Sequence, residues 1–398
     1  MRITFLTPCY MWGPSGGYRV IYQYANLLVA RGHSVSVVHP RILNCAAPSD
    51  RLTLPEKLTK AAHLRKQLRK IRTRMIELVR RPTVNWHPID PRVRMLYVPT
   101  SEQRFIPDAD VIFATAWNTV ESVLACAPSK GEKCYLIQHH ETFLGPEPLV
   151  NATWRLPLSK VVVSKWLLQL GKELGASNIT YVPNGINHAH YSLRQPIAGR
   201  QPRVAMMFSS VPFKRSRDGI EALQIARQRY PNLTAVLFGK ERRKSWIPSW
   251  MEYRRDPDQQ FLVSEIYNKS SIFLSPSLAE GFGLPPAEAA ACGCALVCTD
   301  SGGVRDYAEH GITALLSAPQ DPVTLAEHIH MLLQDEPLRA RLADAVHERV
   351  KRFTWDRSAD LMERFIRGVA DGRDSRQPEI AVNPIKTLPS VSTQIYES

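Results

Sequence analysis

A chain of 398 residues, 44% of them apolar, is too long for one ordinary core and too apolar for a disordered polymer, so two or three domains are expected. No apolar run approaches the roughly eighteen residues of a spanning helix, and the opening MRITFLTPCY lacks the apolar core and small-residue cleavage site of a secretory signal, so a cytoplasmic protein is expected. The net charge of +14 favours anionic partners: phosphates, acidic lipid surfaces or nucleic acid. Seven cysteines are present, and Cys292, Cys294 and Cys298 have neither zinc spacing nor a neighbouring histidine, so they read as buried free thiols of a reducing compartment.

In chain order, the first half offers strands at RITFLTP, SVSVVHP, RMLYVPT, DVIFATA, CYLIQHH, KVVVSKW and ITYVPNG. Several are continuous apolar runs, the pattern of strands buried on both faces of a parallel sheet. Between the first two, Val20, Ile21, Tyr24, Leu27 and Leu28 recur at helical spacing, and Gly32 supplies the stop. The loop GPSGGYRV opens that helix, where Gly16 and Gly17 can present amides to a phosphate or simply make a tight turn. A basic helix is expected over 57–80. Leu64, Leu68, Ile71, Met75 and Leu78 form one apolar stripe, and Arg51 to Arg81 holds eleven Lys/Arg against two Glu. That composition suits an anionic membrane surface, an acidic acceptor, or a core-packed helix with a solvated basic face. Nucleic acid is not expected as a partner, because no recognition module or aromatic platform accompanies the charge. His139 and His140 end a strand and should face a cleft.

Few apolar residues occur over 185–203, which reads as a linker. A second series follows: strand RVAMMFSS, helix DGIEALQIARQRYP, strand TAVLFGK, helix LVSEIYNKS, strands SIFLSPS, ALVCTD and ITALLSA, a long helix from Pro322 and another over 355–369. The whole is α/β: two doubly wound Rossmann-like domains, 1–190 and 200–370, facing each other across a cleft, with a tail over 373–398 that lacks periodicity.

The stretch SPSLAEGFGLPPAEAAACGCALV carries Glu280 and Glu288 eight residues apart. Gly281 and Gly283 let backbone approach a ligand, and Pro285 and Pro286 can open a helix that Gly293 ends. The helix start and the amides around Phe282–Leu284 suit an anion, while carboxylates suit pairs of hydroxyls. A nucleotide sugar has hydroxyls at both ends and phosphates between. In that reading Glu280 grips the sugar and Glu288 the ribose. A helix cap plus a surface glutamate is the plainer alternative.

This stretch, continued through CTDSGGVRDYAEHGITALL, resembles the donor-binding signature of glycosyltransferase family 4, the glycosyl transferases group 1, whose Glu-x7-Glu motif is matched by Glu280 and Glu288. The similarity covers most of residues 160–370 and is looser in the first 130. It implies a GT-B fold and a retaining glycosyltransferase (hexosyltransferase class) that uses a nucleoside diphosphate sugar, no cofactor and no metal, and a carbohydrate or lipid-linked acceptor in polysaccharide or glycolipid assembly. By the same resemblance the Gly16–Gly17 loop meets the diphosphate or the transferred sugar. An arginine, and a lysine five residues later, neutralise the diphosphate. Lys214 holds the lysine position, but Ser209 stands at the arginine position, which leaves Arg215 or Arg217 as the nearest replacement. A family histidine is matched best by His140, ahead of His139. These two histidines and Glu280 are the catalytic candidates. Ser209, Lys214 and Arg215 join Gly16, Gly17, Gly281, Phe282, Gly283, Leu284 and Glu288 as donor-binding candidates. Two rivals use the same scaffold: a sugar-nucleotide epimerase or hydrolase, and a non-catalytic sugar-nucleotide-dependent binding protein.

Overall fold

The computed structural model of the chain describes residues 1–11, 13–43 and 84–372. The basic helix expected over 57–80 and the tail 373–398 lie outside the described residues. The first sheet holds β1 (Arg2–Leu6), β2 (Ser34–Ile42), β3 (Arg94–Thr100), β4 (Val111–Ala114), β5 (Glu132–Ile137), β6 (Ser159–Val162) and β7 (Ile179–Tyr181). Its order is β3-β2-β1-β4-β5-β6-β7, and every pairing is parallel. The second sheet holds β8 (Arg203–Met207), β9 (Thr234–Gly239), β10 (Glu252–Arg255), β11 (Ile272–Ser275), β12 (Ala295–Thr299) and β13 (Leu315–Ser317), again all parallel, in the order β10-β9-β8-β11-β12-β13. Both orders are that of the doubly wound fold.

The continuous apolar runs form these strands because both faces are covered. In the second sheet, Val204, Met206, Ala295 and Val297 pack into an outer core, whereas Ala205, Leu296 and Cys298 turn to the other face. That alternation is the two-residue period of a strand. The helix Gly16–Ala30 buries Val20, Ile21, Tyr24 and Leu28 on the first sheet, and Gly32, at φ +84°, turns the chain out of it. Among the six cysteines described, all are free and only Cys9 is exposed.

Three elements differ from the sequence reading. The long helix after Pro322 is two, Pro322–Gln334 and Glu336–Val350. Asp335 leaves helical geometry between them, and its carboxylate caps the second helix at the Leu338 amide. The edge strand β10 lacks any apolar signal, because an edge strand can keep charged side chains in water. The helix Trp355–Ala370, assigned above to the second domain, packs on the first. Trp355 meets Tyr24 edge-on with ring centroids 5.6 Å apart, and Phe365 lies 6.2 Å from Phe113 of β4. Arg31 reaches Asp360 at 2.6 Å and Glu363 at 3.2 Å. Its buried stripe of Met362, Phe365, Ile366 and Val369 needs a partner, and the first sheet supplies one.

The chain therefore crosses between domains twice, and the crossings lie side by side. The Ile186 amide donates to the Phe353 carbonyl at 2.9 Å, and a Cβ on Gly185 would stand 2.3 Å from the Trp355 nitrogen. The linker itself is pinned to the second domain: the Arg200 guanidinium, buried, donates to the carbonyls of Cys292, Ser270 and Gln195. No helix among the described residues is long and apolar enough to cross a membrane.

Candidate functional site

In each sheet the strand order reverses once, between β1 and β4 and between β8 and β11. Loops leaving the carboxyl ends of strands diverge at such points and open a crevice. The glycines and charges singled out in the sequence fall there: Gly16 and Gly17 follow β1, Lys214 follows β8 and Glu280 follows β11.

The Lys214 ammonium donates to both carboxylate oxygens of Glu280, at 2.7 and 2.9 Å. Glu280 is held in place by its backbone, whose amide donates to the Ser301 carbonyl at 2.8 Å. Burial pushes the Glu280 carboxyl up, but the Lys214 charge and hydrogen bonds outweigh it, so the net shift is downward and the group is a carboxylate. Glu288 projects from the helix Leu284–Ala291 and meets the Arg19 guanidinium of the first domain at 2.8 Å. Burial pushes Glu288 up, and Arg19 opposes this without reversing it. Arg19 also donates to the Tyr191 hydroxyl at 3.2 Å.

Gln138 links the two glycine loops. Its side-chain amide donates to the Gly17 carbonyl at 3.2 Å, and a Cβ on Gly281 would stand 1.8 Å from the Gln138 carbonyl oxygen. Gly281 thus permits a backbone-to-backbone approach of the domains that no other residue allows. Trp166 donates its indole N–H to the Glu280 and Gly281 carbonyls, at 2.8 and 3.1 Å. Asp306 crosses in the opposite sense, accepting from the Lys165 amide at 3.1 Å and the Tyr181 hydroxyl at 2.6 Å. Burial lifts its carboxyl to about 6.

The two histidines separate. His139 lies against the second domain, with a ring nitrogen 3.4 Å from the Ala279 carbonyl and ring contacts to Phe143 and Phe213. Burial lowers its pKa, favouring the neutral ring. His140, preferred in the sequence reading, turns away to the Asn151 side-chain oxygen at 2.7 Å and packs on Trp154. Successive residues leaving a strand point to opposite sides, so only one of an adjacent pair faces the cleft. Glu141 stands half-buried beyond them, its carboxyl lifted to about 7 by desolvation, with the Trp117 amide donating to one oxygen at 2.7 Å.

Neither replacement suggested for the absent arginine reaches Glu280. Arg215 pairs with Asp218 at 2.8 Å, and Arg217 lies over the Trp246 ring at 4.4 Å. Ser209 closes its own loop: its amide donates to the Ser216 hydroxyl, which donates back to the Ser209 carbonyl, both at 2.9 Å. The Phe282 side chain is core, set between Tyr307 and Phe353, so only its backbone is available to a ligand. Gly283, at φ +81°, starts the helix that continues from Leu284, and its carbonyl accepts from Tyr307 at 2.6 Å. Sequence reasoning passed over Arg19, Gln138, Trp166 and Asp306. Arg19 stands two residues beyond the glycine pair and Gln138 directly before the histidine pair, and these positions are the local signals among them.

Comparison with known proteins bears on the fold and on the second domain. Residues 194–349 match the model of the family described as glycosyl transferases group 1. The glycogen synthase of Mycobacterium tuberculosis is 27% identical over 223 residues, which is 52% of this chain and 53% of that protein. A D-inositol 3-phosphate glycosyltransferase of Xylanimonas cellulosilytica is 34% identical over 106 residues, 27% of this chain and 25% of that one. The chain thus spans about half the length, or less, of these curated relatives. Among solved structures, the sucrose-phosphate synthase of Thermosynechococcus elongatus superposes with a TM-score of 0.65 at 17% identity, covering 93% of this chain and 99% of that one. HepE of Anabaena, in complex with UDP, gives 0.67 at 16% identity, covering 92% and 100%. The fold is GT-B, two Rossmann-like domains face to face. The match to the glycosyl transferases group 1 model lies over the second domain, whereas the likeness in fold covers both domains.

Proposed function

We propose that the protein is a retaining glycosyltransferase that moves a sugar from a nucleoside diphosphate to an acceptor hydroxyl. The observation that carries this reading is Glu280 at the switch point of the second sheet, a buried carboxylate whose charge is held by Lys214. A carboxylate accepts from two sugar hydroxyls, and an ammonium beside it suits the diphosphate of the same ligand. Glu280 grips the sugar and Glu288 the ribose.

The bond between the anomeric carbon and the diphosphate oxygen breaks, and the leaving oxygen takes up negative charge. Lys214, the amides of the Gly16–Gly17 loop and the first turn of the helix Leu284–Ala291 are preorganised to stabilise that charge. The acceptor oxygen attacks on the face the diphosphate leaves, so the configuration is retained, and its proton passes to the departing phosphate oxygen. His139, neutral and on the cleft side, bonds a sugar hydroxyl. HepE of Anabaena has been solved with UDP-glucose, which makes that sugar nucleotide the first donor to test.

The acceptor is a carbohydrate or a lipid-linked sugar. The basic segment 57–80 docks on an anionic membrane carrying it, and binding to acidic vesicles that falls with salt tests that part. The activity is tested by a panel of UDP-, ADP- and GDP-sugars, following nucleotide release with and without acceptor sugars. Release that requires an acceptor supports the transferase. Release without one marks a hydrolase, and donor conversion without release marks an epimerase. Binding without turnover marks a binding protein.

A further inference from the structure

We propose that Arg19 is the second cation of the donor site, moving from Glu288 to the diphosphate when the ribose takes Glu288. The inference rests on the donor reading above. It starts from a shortage of charge: Ser209 brings none, Arg215 is committed to Asp218 and Arg217 to the Trp246 ring. Lys214 is then the one cation on the second domain's loop that meets Glu280. A diphosphate has two charged groups to neutralise, and a single ammonium leaves one exposed.

Arg19 is placed to supply the other. It sits in the first turn of the helix that Gly16 and Gly17 open. That loop is tied to the Gly281 loop through Gln138, with the side-chain bond to the Gly17 carbonyl at 3.2 Å on one side and the backbone approach to Gly281 on the other. Arg19 and Lys214 therefore flank one seam from opposite domains. Both are paired with a glutamate of the same motif, Glu288 at 2.8 Å and Glu280 at 2.7 Å.

Ribose hydroxyls that bond Glu288 compete with Arg19 for its oxygens. A partly buried guanidinium that loses its counter-ion needs another anion, because an unpaired charge in such a place is costly. The diphosphate at the helix start is that anion, and the fork of a guanidinium matches phosphate oxygens. The swap also keeps the domains tied: Arg19 belongs to the first domain, so it exchanges one bond across the seam, to Glu288, for another, to a diphosphate held on the second domain.

The test is calorimetric binding of UDP, ADP and GDP, each beside its own nucleoside, to the full chain. For whichever diphosphate the wild type binds, Arg19→Gln should weaken it about tenfold or more while the nucleoside changes less than about threefold, and Arg19→Lys should recover most of the loss. Unchanged or tighter diphosphate binding in Arg19→Gln would mean that Arg19 only restrains Glu288. Equal losses for diphosphate and nucleoside would mean a structural role. Either overturns the proposal. Glu288→Gln provides a second route, since it releases Arg19. Nucleoside affinity should fall while the ratio of diphosphate to nucleoside affinity rises, and a constant ratio counts against the swap. If the wild type binds none of the three diphosphates, the donor reading itself fails and this inference falls with it.

Discussion

Lys214 and Glu280 form a two-point ion pair, 2.7 and 2.9 Å, between the loops that follow β8 and β11. The glutamate is the more enclosed partner, with 8% of its side chain exposed against 18% for the lysine. That asymmetry decides what each substitution does. Removing the carboxylate leaves an ammonium that can still reach water. Removing the ammonium leaves a carboxylate that cannot.

Glu280→Gln should therefore fold. It keeps one acceptor oxygen for Lys214 but loses the charge that, in the function proposed above, grips donor hydroxyls. A hydrogen bond to a charged group contributes about 1.5–3 kcal/mol, so kcat/KM should drop about ten- to a few-hundred-fold, with the circular dichroism spectrum unchanged. Undiminished turnover at limiting donor would remove Glu280 from the site.

Lys214→Met should destabilise the protein in a pH-dependent way. In the wild type the Glu280 pKa is held below its unfolded value. Its contribution to stability is thus present above the ordinary carboxylate range near about 4, and is lost as pH falls through the folded value. In the variant burial, the largest influence on the carboxyl, is opposed only by the weaker effects of Ser277 and His139, so the pKa moves up and the sign reverses. The stability gap between the two proteins should widen from pH 4 to pH 7, toward the roughly 3–5 kcal/mol of a broken buried pair. Denaturant titrations at both pH values read it. A gap independent of pH would mean that the pair is not ionised.

Asp306 offers the opposite dependence. Burial raises its carboxyl to about 6, well above the ordinary aspartate value of 3.8. A raised folded pKa favours the protonated form, so its contribution is full below the unfolded value and is lost as pH rises through about 6. Asp306→Asn cannot ionise, and its side chain can still serve Tyr181 or Lys165. Relative to the wild type it should gain stability between pH 4 and pH 7, by up to about 3 kcal/mol, the linkage value of the shift. Parallel melting curves for the two proteins across that range would show that Asp306 does not titrate there.

The sequence made the scaffold readable because parallel strands buried on both faces leave continuous apolar runs, as VIFA of β4 and ALVCT of β12 do. β10 was silent because three of its four residues, EYRR, are charged, which a sheet edge tolerates. Glu280, Glu288 and Lys214 were legible as types at a spacing, each on its own loop. What the spacing did not contain was their partners. Arg19 meets Glu288 across 269 positions of chain, and Gln138 meets Gly281 across 143, distances over which only the tertiary fold decides. The last helix was misassigned for the same reason. Its apolar stripe says that it must be covered, and nothing local says by which sheet.

Gly281→Ala tests the seam between the domains. The added methyl would stand 1.8 Å from the Gln138 carbonyl oxygen, well inside contact distance, and the obstacle is backbone that no rotamer change can move. Gly281 does not adopt a positive φ, so alanine brings a clash and not a forbidden backbone conformation. Each domain keeps its own sheet and core. The relief available is for the first domain to retreat from the loop after β11, lengthening the Trp166 bonds to the Glu280 and Gly281 carbonyls and drawing His139 away from Ala279. Misplacing reacting groups by about 1 Å can cost about a hundredfold in rate, so kcat should fall by that order. Small-angle scattering should show a larger radius of gyration, while the far-ultraviolet spectrum stays that of the wild type. If Gly281→Ala keeps both its dimensions and its turnover, the close approach of Gln138 and Gly281 is not part of the proposed catalytic arrangement.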